Sequence, residues 1–153
     1  MKNKHLTTYL NDHLSGSVAA LQLISYIQNI HPDTELKTFL IQLEADIKAD
    51  QQQLESFMER WSIAKSSPRQ LAAWLAEKVM QAKLLMDDSS NGPLALLEIM
   101  EALSLGIEGK RLLWCSLEGL VDDVDFALLK QRADDQRRTV EQFRLKAARE
   151  AIW

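Results

Sequence analysis

The chain has 153 residues, 46% hydrophobic and 26% charged, which suits a single domain with a real core. Its net charge of −4 disfavours general nucleic-acid binding, which is normally the work of a basic protein. No run approaches the ~18 consecutive apolar residues of a membrane span, the polar start Met1–Thr8 is not followed by a signal-type apolar run, and the one cysteine, Cys115, cannot form an internal disulfide; together these predict a cytoplasmic protein.

With only 5 Gly and 3 Pro, long regular elements and few loops are expected. The apolar spacing is helical throughout, and no stretch alternates with period two. A first helix is predicted over about 5–30, with Leu6, Leu10, His13, Ser17, Ala20, Ile24 and Ile27 on one stripe. A second is predicted over about 33–61, capped by Asp33 or Thr34. Its stripe, Leu36, Leu40, Leu43, Ile47, Asp50, Leu54, Phe57 and Trp61, is polar only at Asp50. Ser67-Pro68-Arg69-Gln70 reads as a capping box that opens a shorter amphipathic helix over about 68–85, with Leu71, Trp74, Leu75 and Val79 on its apolar face. The Asp87–Pro93 run is a loop signal.

The third long helix, about 93–117, is apolar nearly all round. One face holds Leu96, Ile99, Met100, Leu103, Ile107, Leu113, Trp114 and Leu117. Another holds Leu94, Leu97, Leu105, Leu112 and Cys115 together with Glu101 and Glu108. The sequence leaves open which of the two is core. A tight acidic turn, Gly119 to Asp125, leads to a fourth helix over about 124–152 with the stripe Leu129, Ala133, Gln136, Val140, Phe143, Ala147 and Ala151. Asp134 and Arg138 stand four apart with the acid first, the favourable order for a helical ion pair. Lys and Arg interleaved with Asp and Glu make the rest of that helix a solvated face.

Short turns join the first helix to the second and the third to the fourth, so each pair is expected to run antiparallel. Two hairpins joined by one long crossover that contains a short helix is the connectivity of ferritin-like four-helix bundles. Each stripe also carries a polar residue near its middle: His13 and Ser17, Asp50, Glu101 and Glu108, and Gln136.

By connectivity, helix length and this polar layer the chain resembles the ferritin-like superfamily. The stretch Leu6–Leu21, with Asp12 and His13, resembles the first helix of small stress-associated ferritin-like bacterial proteins. The resemblance implies an all-α, ferritin-like four-helix bundle. It also implies a di-iron site made of one Glu from each of two helices and a Glu-x-x-His pair from each of the others, because two hard cations share bridging carboxylates. In that register this chain offers Ser17 for a Glu, Ile47-x-x-Asp50 for one pair and Ala133-x-x-Gln136 for the other. Only Glu101 or Glu108 keeps the family's residue type, and no Glu-x-x-His occurs anywhere.

No di-iron centre and no cofactor are therefore expected, and no ferroxidase, oxygenase or catalase chemistry. There is no nucleophile motif, glycine-rich phosphate loop or paired acid–base motif either. The expected function is that of a non-enzymatic bundle protein, structural or interaction in role, whose polar layer sets register. Its alternative is a stress-related protein that binds a single divalent metal (Fe, Mn or Zn) through His13, Asp50 and Glu101 or Glu108, with Gln136 as a further candidate. A carrier with a Trp- and Met-lined pocket is a third possibility, its ligand unknown. The apolar surplus of the third helix predicts a homodimer. Cys115, a lone cysteine in an apolar stripe, is expected to be an inert small hydrophobe.

Overall fold

A computed structural model describes residues 3–66, 73, 77, 80 and 92–153. Four long α-helices account for most of them: α1, Lys4–Ile30; α2, Thr34–Arg60; α3, Gly92–Leu117; and α4, Phe126–Ile152. The crossover helix expected over about 68–85, with its capping box, lies outside the described residues, save that Ala73, Glu77 and Met80 are helical and exposed. Among the described residues no helix is long and apolar enough to cross a membrane.

Helix ends fall where side chains can satisfy the first backbone N–H groups. Asn3 accepts from the His5 amide at 3.0 Å, Asp33 from Leu36 at 3.0 Å, and Asp125 from Leu128 at 2.9 Å. The α1 helix stops at His31, whose extended backbone precedes Pro32. The end of α2 is a Schellman motif: the Ile63 N–H reaches the Met58 carbonyl at 2.7 Å and the Ser62 N–H reaches Glu59 at 2.9 Å. Such a motif needs a left-handed residue, and Ser62 takes that place at φ 51°. After α3 a glycine does the same work, Gly119 at φ 84°.

The chain divides into two compact units, Met1–Gln81 and Ala82–Trp153, each built on one antiparallel hairpin. In the first, Leu10, Leu14, Ala19, Ile24 and Ile27 of α1 are buried, as are Leu36, Leu40, Leu43, Ile47, Asp50, Leu54, Phe57 and Met58 of α2. Phe57 stacks on Trp61, with ring centroids 5.7 Å apart. In the second unit, Leu96, Ile99, Met100, Leu103, Ile107, Leu113, Trp114 and Leu117 of α3 are buried, with Leu129, Ala133, Gln136, Val140 and Ala147 of α4. Each fully buried Leu or Ile contributes roughly 1.5–3 kcal/mol, so these continuous stripes, and not helix propensity, hold the hairpins together.

The two faces of α3 are thereby resolved. The face richer in large apolar residues is core. The other, apart from Leu97, turns outward: Leu105 is 74% exposed, Leu112 49% and Leu94 42%, and Cys115 is exposed as well. On the same side Glu101 is exposed and Glu108 is half-buried. A helix with a surplus of apolar residues buries its denser side and leaves the side with carboxylates to solvent.

Candidate functional site

The mid-helix polar residues have different surroundings in each unit. On α1, His13 is half-buried, and the ring of Tyr9, one turn earlier, meets it edge-on at 4.7 Å. Burial pushes its pKa below the ordinary histidine value, because the charged imidazolium loses solvation, and the Asp12 carboxylate acts in the opposite direction. Ser17 donates to the Leu14 carbonyl at 2.7 Å and accepts from the Gln51 side chain of α2 at 2.9 Å. Asp50, the residue before Gln51, is 4% exposed. The next polar link along this hairpin joins Gln28 to Glu44 at 3.2 Å. Glu44 also pairs with Lys48, and these two hydrogen bonds hold its carboxyl below the usual range.

In the second unit the carboxylates are occupied by arginines. Glu108 accepts from Arg111 at both oxygens, at 2.8 and 2.9 Å, and from Arg137 of α4 at 2.8 Å. Those charge-assisted bonds, the Arg111 contacts foremost, hold its carboxyl below the ordinary value and raise that of Arg111. Glu101 is exposed and lies 3.6 Å from Arg144, which also clasps Glu141 through two bonds at 2.6 and 2.7 Å. Gln136 is 6% exposed, and its carbonyl oxygen accepts from the Lys110 ammonium at 2.6 Å. Its amide nitrogen is buried with no hydrogen-bond partner among the described residues.

Of the residues singled out in the sequence, Asp50 and Gln136 are buried, His13 and Glu108 are half-buried and Glu101 is exposed, with both glutamates in ion pairs. Among the described residues, no three or more His, Cys, Asp and Glu side chains gather as a metal site would require. The expected pair Asp134–Arg138 is replaced: Arg138 meets Asp135 at 3.0 Å, while Asp134 lies 3.8 Å from Arg111. An open groove on the second hairpin is lined by Ser104, Asp134, Arg137, Arg138 and Glu141, none of them Trp or Met.

Sequence reasoning did not pair Gln51 with Ser17, Lys110 with Gln136, or Arg111 and Arg137 with Glu108. Spacing could have found one of them, since Glu108 and Arg111 stand three apart on a helix. The other three reach across to the neighbouring helix of their hairpin, which no local pattern reveals. It also missed Asn11, buried on α1, whose side chain fastens the segment after α2. Comparison of the chain with known protein families, with curated proteins and with solved structures finds no match.

Proposed function

We propose that the chain is a non-enzymatic four-helix-bundle protein of ferritin-like architecture, structural or interaction in role, without a functional di-iron centre. The pattern of two antiparallel hairpins and a long connection supports the architecture. One observation carries the functional reading: both oxygens of Glu108, a glutamate at the position a metal site would use, are bonded to Arg111 and Arg137. A divalent ion at Glu108 would have to displace two guanidinium groups, and their charge opposes it. Gln136 adds to this, because its only oxygen faces an ammonium group. Elemental analysis of protein purified without a chelating column tests the reading. Substoichiometric Fe, Mn and Zn is expected, and one equivalent of any of them would overturn it.

The second reading, a single divalent ion held by His13, Asp50 and Glu101 or Glu108, is left with His13 and Asp50, because both glutamates pair with arginines. It rests on the burial of Asp50 and the half-burial of His13 in the same hairpin. That reading requires Asp50→Ala to abolish any stabilisation by added metal.

Self-association through α3 completes the proposal. Leu105 and Leu112 are exposed one heptad apart on a helix whose other large apolar residues are mostly buried. Sedimentation at micromolar concentration should give a dimer, and Leu105→Glu should yield a folded monomer. A wild-type monomer would remove this part of the proposal.

A further inference from the structure

We draw no further inference here: the strongest candidate, the outward face of α3 that carries Leu94, Leu105 and Leu112, already enters the self-association proposed above, and nothing in the structure shows what else covers it.

Discussion

Asn11 and Ser66 stand 55 positions apart, and the carboxamide oxygen of Asn11 accepts the Ser66 backbone N–H at 2.6 Å. The same side chain donates to the carbonyls of Thr7 at 2.9 Å and Ala64 at 3.0 Å. A single amide in α1 thus fastens the chain where it leaves α2, while Ile63 is buried beside it in sequence. Removing the side chain breaks three part-buried hydrogen bonds, a loss of ~1–3 kcal/mol. Asn11→Ala should therefore lower the urea midpoint clearly. Asn29→Ala, which removes an exposed bond to Ser25 on the same helix, should cost under ~0.5 kcal/mol. Equal costs at the two positions would contradict the clamp.

Ser62 adopts a left-handed backbone that glycine takes without steric penalty. Ser62→Gly is expected to stabilise the chain by up to ~1 kcal/mol. Gly119→Ala, at φ 84°, should cost about as much, although a Cβ there meets nothing within 4 Å. Thermal melts of both variants should move in opposite directions. A shift in the same direction would show that backbone conformation does not dominate at these caps.

Gln136 is buried and its amide nitrogen has no hydrogen-bond partner among the described residues, a desolvation cost that an apolar side chain of similar shape avoids. Gln136→Met should leave stability unchanged or raise it by up to ~1 kcal/mol, since Lys110 is partly exposed and can turn to water. A loss well beyond ~1 kcal/mol in chemical denaturation would mean that the amide is held by more than Lys110.

Stability should fall on the acid side, in two stages with the same sign. The folded-state pKa of His13 is lowered, so below the unfolded value of about 6.5 the unfolded chain takes up the proton first and stability drops. The carboxyl groups of Glu44, Glu108 and Glu141 are also lowered. Their contribution is present above the unfolded carboxyl value and is lost as pH falls through the folded one. His13→Gln should flatten the first stage and Glu108→Gln part of the second, measured as the slope of unfolding free energy against pH. Unchanged slopes in both variants would contradict these assignments.

The helices were legible because a 3.6-residue apolar period and a cap residue are local signals, and the α2 stripe from Leu36 to Phe57 is buried residue for residue. Which side of α3 is core was not legible. Both sides carry leucines, and the decision rests on how many large apolar groups the neighbouring helix can cover. For the same reason the sequence left open whether Glu101 and Glu108 face the core; in the structure they pair with Arg144 and Arg137. Asn11 escaped notice because a polar residue in a helix ordinarily faces water, and its partners lie in a segment that sequence spacing cannot bring to it.

The central proposal is that Glu108 is held by Arg111 and Arg137, and the Gln136 oxygen by Lys110, in place of a metal. A thermal melt of the whole chain with and without excess Fe2+, Mn2+ or Zn2+, alongside Asp50→Ala, tests it most directly. A native-state ligand at a hundred times its Kd would add about 2.7 kcal/mol, a shift of several degrees for a protein of this size. The account predicts no metal-dependent shift in either protein. A rise of that size in the wild type, absent from Asp50→Ala, would contradict it.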